Sequence, residues 1–140
     1  MNKLTRDVAE FHIATGSHIS AYPKLLEVKS LKKLRINLVE EEAKEVVTAI
    51  EGGSLSQVAK ELCDLIYVTV GTALAYGINL QPVWDEVHAS NMTKTDGSKR
   101  ADGKVLKPAN YKETDIEPLI DDQIRTGILR ARKAALPDGE

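Results

Sequence analysis

V-E-E-E-A-K-E, Val39 to Glu45, puts four glutamates into seven residues of what otherwise reads as a buried helix. At 100° per residue, Leu31, Leu34, Leu38, Glu42, Glu45 and Ala49 fall on one face, with Glu41 at its edge. Glutamates therefore occupy positions that should hold leucine. Glu40 and Lys44 lie on the opposite side, where a solvated i,i+4 pair explains them. Further along, Glu61 shares a helical face with Val58, Leu65 and Val68, and Asp64 sits beside it. Like charges about 4 Å apart repel by roughly 4 kcal/mol at an effective dielectric of 20, so acids in two apolar seams need a counter-charge. Arg35 is the one arginine near that face, and one guanidinium cannot neutralise five acids. A hard divalent cation can. An all-oxygen ligand set with no histidine beside it selects Mg²⁺ or Mn²⁺ over zinc or copper.

The rest of the chain fits a single all-α domain over residues 1–140, with four to five helices. A first helix is expected from about Leu4 to Thr15, ended by Gly16. A second follows Pro23 and runs to Gly52-Gly53, and a third, capped by Ser54 or Ser56, ends before Gly77. Pro82 opens a fourth that passes through Val83, Val87 and Asn91 toward Lys94. Residues 95–114 read as a polar basic loop without secondary structure, long enough to suggest a substrate-binding role. Asp115 is placed to cap a last helix from Ile116 to about Ala134, and the tail, 135–140, is expected to fray.

Composition limits the function. The formal net charge is −2, so no global field draws the protein to nucleic acid or to an anionic membrane. Its longest apolar run is far short of a membrane span, and the amino terminus lacks a secretory pattern. The one cysteine, Cys63, excludes an internal disulfide and suits a reducing cytoplasm. Neither G-x-G-x-x-G nor G-K-S/T occurs, which excludes a P-loop enzyme.

Written out, the acids form E-E-x-x-E at Glu41, Glu42 and Glu45, then E-x-x-D at Glu61 and Asp64. Further strings are F-H-I-A-T-G from Phe11, D-L-I-Y-V-T-V-G-T-A from Asp64, E-V-H-A-S-N-M-T-K from Glu86 and R-A-D-G-K-V-L-K-P-A-N-Y from Arg100. Together they resemble the all-α nucleoside triphosphate pyrophosphohydrolases, the superfamily of MazG, the dimeric dUTPases and the phosphoribosyl-ATP pyrophosphohydrolases. The likeness covers roughly residues 5 to 120 and is strongest to the MazG-like branch of bacteria and phages, including the Deinococcus type that prefers dUTP. What the resemblance implies is cleavage of a nucleoside triphosphate between the α and β phosphates. It implies Glu42, Glu45, Glu61 and Asp64 as main metal ligands, with Glu41 aiding a second metal or orienting water, and two or more ions per site. It also implies a homodimer or a dimer of dimers, a state to which the extra apolar residues Leu25, Leu26 and Val28 would contribute.

Pyrophosphate as a leaving group needs cations, and Lys94, Lys99, Arg100, Lys104 and Lys107 supply five within fourteen residues. Asn91 offers a donor and an acceptor to a nucleotide. Tyr111 is placed either to stack on a base or to pack within the loop, and His12 either to line a base pocket or to serve the core. Trp84 is expected to pack between helices or subunits. Among competing readings, a carboxylate-bridged di-iron bundle wants E-x-x-H, and neither Glu42 nor Glu61 has histidine three residues on. Phosphoribosyl-ATP is the alternative substrate within the class. A non-catalytic helical assembly module stabilised by a metal is the alternative outside it.

Overall fold

The computed structural model describes residues 2–136. It contains five helices: α1 (Lys3–Thr15), α2 (Lys29–Gly52), α3 (Leu55–Tyr76), α4 (Leu80–Met92) and α5 (Glu117–Ala135). Among the described residues there is no strand beyond an isolated antiparallel bridge, Lys99 to Val105, so the all-α expectation holds. No single helix is long and apolar enough to cross a membrane.

Local chemistry sets most of the boundaries. The Asn2 side chain accepts from the Thr5 N–H to start α1, and Gly16, in the left-handed region, ends it. At α3 the Ser54 hydroxyl and the Gln57 side chain form a reciprocal capping box. Asn79, rather than Pro82, caps α4, and Lys94 lies just beyond its end instead of within it. Ile116, not Asp115, is the N-cap residue of α5 and makes no side-chain cap bond, while the Asp115 backbone N–H donates to Glu86 Oε1 at 3.1 Å. Of the tail expected to fray, Ala135 still belongs to α5 and 137–140 lie outside the described residues.

The largest correction concerns the start of α2, which begins at Lys29 and not after Pro23. Residues 17–28 instead run as a strap across the end of α3. Ser20 N–H donates to Leu74 O and Lys24 N–H to Tyr76 O, both at 3.0 Å, while Ser20 Oγ donates to Ala75 O at 2.7 Å. These carbonyls belong to the last turn of α3, where the helix ladder leaves acceptors to spare and where Leu74 O also takes the Gly77 N–H, so the strap gains from α3 hydrogen bonds it would otherwise make by winding into α2. Gly77 makes the crossing possible: its φ is +73°, and a Cβ there would stand 2.2 Å from Tyr22 O.

α2 packs antiparallel on α3 across the Gly52-Gly53 turn, and α1 packs on α3. The buried apolar set is small: Val8, Leu26, Val46, Ala49, Val70, Ala73 and Ala75. The buried stripe of α2 is turned from the expected one, since Arg35 is 8% exposed and Leu34 is 48% exposed. Total accessible surface is 10587 Å², against about 7,200 Å² for a folded monomer of this mass. The excess includes Ile13, Leu25, Ile50, Leu55 and Trp84, each of them mostly exposed. Trp84 thus does not pack between helices of its own protomer.

Candidate metal centre and substrate site

The Gly52-Gly53 turn sets α2 against α3 and brings their acidic stretches face to face. Gly53 N–H closes α2 on Ala49 O at 2.8 Å, and a Cβ at Gly53 would lie at the same distance from that oxygen. Opposite one another stand Glu42, Glu45 and Glu61, each offering a carboxylate oxygen within 4.8 Å of the other two. Glu42 Oε2 is buried with no hydrogen-bond partner. The Glu61 carboxylate, close enough to share a proton, pushes the Glu45 carboxyl above its usual range, and the Glu61 and Glu42 charges add to the effect. Three acids that repel one another, one with an orphaned buried oxygen, form a donor set that a hard cation fits.

The other two predicted ligands stand apart. Asp64 Oδ2 accepts from Lys60 Nζ at 2.7 Å, and the same ammonium reaches Glu61 Oε1 at 3.1 Å. Glu41 lies outside the cluster and lines an open groove of about 590 Å³ along α2, with Lys44, Glu45, Thr48, Gln57 and Glu61. Lys44, read as a solvated partner of Glu40, thus borders the acidic groove. Lys60 was not singled out from the sequence, although its i,i+4 spacing to Asp64 was visible there. These two carboxylates hold its ammonium in the charged form.

The basic segment is more ordered than a structureless loop. Leu106 N–H donates to Ser98 O, and Arg100 N–H to Lys104 O, which folds it into a small hairpin with Gly103 at φ +89°. Ser90, buried on α4, anchors the return by donating to Lys112 O at 2.6 Å and meeting the Tyr111 hydroxyl at 3.0 Å. Tyr111 carries cations on its ring, Lys94 Nζ at 5.2 Å and Lys107 Nζ at 4.8 Å from the centroid. Lys94 also donates to Asn91 Oδ1 at 2.7 Å, so Asn91, Lys94, Lys107 and Tyr111 form one group. Arg100 pairs with Asp102 through two nitrogens, and Lys107 pairs with Glu113, which is held below the usual carboxylate range by that ammonium. Lys99 and Lys104 have no ion pair among the described residues. No hydrogen bond or ion pair among the described residues joins this group to the glutamate cluster within one protomer.

Five helices with a glutamate cluster between the second and third make this an all-α protein with a candidate metal centre. The family model described as phosphoribosyl-ATP pyrophosphohydrolase matches residues 7–91, more than half of the chain, and the protein belongs to that family, part of the MazG-like pyrophosphohydrolase superfamily. The matched span takes in all five acids and Asn91, and stops short of the basic hairpin and α5. No curated protein matches the chain. Membership implies pyrophosphohydrolase activity of the nucleoside triphosphate or phosphoribosyl-ATP type, and the family is typically dependent on a divalent metal. It does not distinguish the dUTP-preferring branch.

Proposed function

We propose that the protein hydrolyses dUTP or another nucleoside triphosphate to the monophosphate and pyrophosphate, with Mg²⁺ or Mn²⁺, as a cytoplasmic enzyme of nucleotide-pool house-cleaning. The observation that carries this reading is the convergence of Glu42, Glu45 and Glu61, together with a buried Glu42 oxygen that has no hydrogen-bond partner. These three, joined by Asp64 and by Glu41 at the groove edge, would hold two or more ions. Such ions supply Lewis-acid polarisation of phosphate oxygens and lower the pKa of a water for attack at the α-phosphorus.

The chain's own residues provide the rest. Glu45 and Glu61 in the groove, with Glu42 clustered beside them, concentrate negative charge, which rejects a bare triphosphate and accepts one whose charge is neutralised. Lys60 holds the place of a cation beside Glu61 and Asp64, and its withdrawal frees both carboxylates. Lys94 and Lys107, steadied on the Tyr111 ring, with Arg100, Lys104 and Asn91 nearby, would bind the pyrophosphate end. Tyr111 acts here as a platform for ammonium groups, because a base stacked on its face would have to displace them.

A homodimer or dimer of dimers completes this assignment. The surface excess of some 3,400 Å² per chain, taking 10587 Å² less the monomer expectation of about 7,200 Å², exceeds the roughly 1,000–2,500 Å² that each partner of an obligate interface commonly buries, and so leaves room for more than one such contact. It also gives the basic hairpin a second acidic groove to face. Phosphoribosyl-ATP is the second reading, favoured by the family match itself. One assay separates the possibilities: pyrophosphate release with Mg²⁺ across dUTP, dCTP, dGTP, dATP, their ribonucleotides and phosphoribosyl-ATP. Release from dUTP is the expected outcome. Cleavage of phosphoribosyl-ATP alone selects the second reading, and no release from any substrate leaves a non-catalytic assembly module.

A further inference from the structure

Arg35 sits on α2 seven residues before Glu42, about 10 Å along the same helical face. It is 8% exposed and has no carboxylate partner among the described residues. Nε donates to Thr72 Oγ1 at 3.1 Å and one Nη to Val68 O at 2.8 Å. The other Nη carries two hydrogens with no acceptor among the described residues. Gly71 makes room for this head group, since a Cβ there would lie 2.8 Å from both Arg35 Nη2 and His12 Nε2. Burial pushes the His12 ring below its ordinary range, and the Arg35 charge pushes the same way, which suits a neutral histidine. His12 Nδ1 then donates to His18 O at 3.2 Å.

Arg35 lines a cavity of about 400 Å³ between the end of α1 and α2, together with Ser17, His18, Leu31 and Leu34. That volume suits a small-molecule site. Leu34 of the cavity and Glu41 and Glu45 of the groove recur at helical spacing on α2, so the cavity and the acidic groove lie along one side of the helix. The cavity also holds an acceptor. Ser20 Oγ gives its only hydrogen to Ala75 O, so it accepts from His18 Nε2 at 3.0 Å. That places a hydrogen on Nε2, and in the tautomer with its one hydrogen there Nδ1 keeps a free lone pair. An unspent guanidinium donor and an imidazole acceptor thus border a hollow walled also by Leu31, Leu34, Ala75 and Ser17.

We propose that this cavity receives the base of the nucleotide and selects a ring that carries a carbonyl beside an N–H, as uracil, thymine and guanine do. Arg35 donates to the carbonyl, and His18 Nδ1 accepts from the N–H. Cytosine and adenine present an amino group and a bare ring nitrogen along that edge, which sets donor against donor and acceptor against acceptor. Leu31 and Leu34 cover the ring faces. The assignment rests on the triphosphate reading above for its link to catalysis, but not for binding of the base itself.

The test uses the full chain, with Arg35→Met and Leu34→Trp, the second chosen to fill the cavity from a half-exposed position. Pyrophosphate release from dUTP and dCTP gives kcat/KM for each, and calorimetric titration with deoxyuridine reads the cavity without phosphates. Wild type should favour dUTP by at least about tenfold, and Arg35→Met should reduce that preference to within about threefold, because a site built to hydrogen-bond loses discrimination when the donor goes. Leu34→Trp should abolish deoxyuridine binding. Equal wild-type rates on dUTP and dCTP, or a preference that survives Arg35→Met in a protein of native circular dichroism, overturns the proposal. If Arg35→Met does not fold, Leu34→Trp decides alone: deoxyuridine binding that persists rejects the cavity. If no triphosphate is cleaved, the catalytic reading falls, and the deoxyuridine titration still judges the cavity by itself.

Discussion

Glu45 shows how a single carboxyl can report on the whole site. Its pKa is raised by Glu61 and Glu42, so the folded chain holds that proton more tightly than the unfolded chain does. A raised carboxyl disfavours folding once it ionises: stability falls as pH rises from the ordinary value of 4.5 through the raised one, and returns on acidification. The metal-free protein should therefore melt at a higher temperature near pH 5 than near pH 7 on this account, and Glu45→Gln should flatten the difference. Magnesium should raise the melting temperature more at pH 7 than at pH 5, because it competes with protons for the same oxygens. Differential scanning fluorimetry with and without the ion measures all four values. For turnover, Glu45→Gln and Asp64→Asn should each lower metal-dependent pyrophosphate release by about a hundredfold or more while preserving helical circular dichroism. Lys60→Met should strengthen magnesium binding at the expense of metal-free stability, read by titration calorimetry. The cluster was legible in the sequence because helical spacing fixes which residues share a face. The Lys60 contacts were harder to read, since a lysine next to acids on an exposed flank is ordinarily a solvated pair.

At the scale of elements, caps and glycines decide what each helix can do. Gly77→Ala would put a methyl group into Tyr22 O at a positive φ, and should cost more than about 1–2 kcal/mol, since both the backbone conformation and the strap must yield. Ser54→Ala removes one half of a capping box and should cost about 1 kcal/mol. Urea unfolding of both variants checks the order, with Gly77→Ala the weaker protein. Periodicity placed α1 and α3 closely and α4 and α5 to within a turn, because apolar repeats and terminal glycines act locally. It missed the late start of α2: Pro23 is a good first-turn residue, but the hydrogen bonds that hold residues 17–28 out of the helix come from Leu74, Ala75 and Tyr76, about fifty positions away. No local signal carries that information. The hairpin of 98–106 escaped for a related reason, since it depends on anchoring by Ser90 and on lysines drawn to Tyr111.

The whole molecule exposes too much apolar surface to be the functional unit on its own. Sedimentation at micromolar concentration should show a dimer or tetramer, and the melting temperature should rise with protein concentration. Replacement of Trp84 and Leu55 by glutamate should lower the assembly state if their faces are covered in it. A monomer at all concentrations would remove the assembly from the proposed function and leave the glutamate cluster unchanged. The all-α architecture followed from composition and period alone. The extent of bare surface did not, because a helix that is apolar on two sides reads the same whether its second partner is in its own chain or in another copy.

The strap across the end of α3 has a consequence for how the protein opens. Ser20 and Lys24 hold the last turn of the helix that carries Glu61, while α1 and α2 stand at either end of the same crossing. Loosening one of these parts frees the others, so the amides of Ser20, Lys24 and Gly77 should exchange with solvent deuterium as one cooperative group. An amino-terminal stretch remote from the acids thereby governs how long their helix keeps its far end wound.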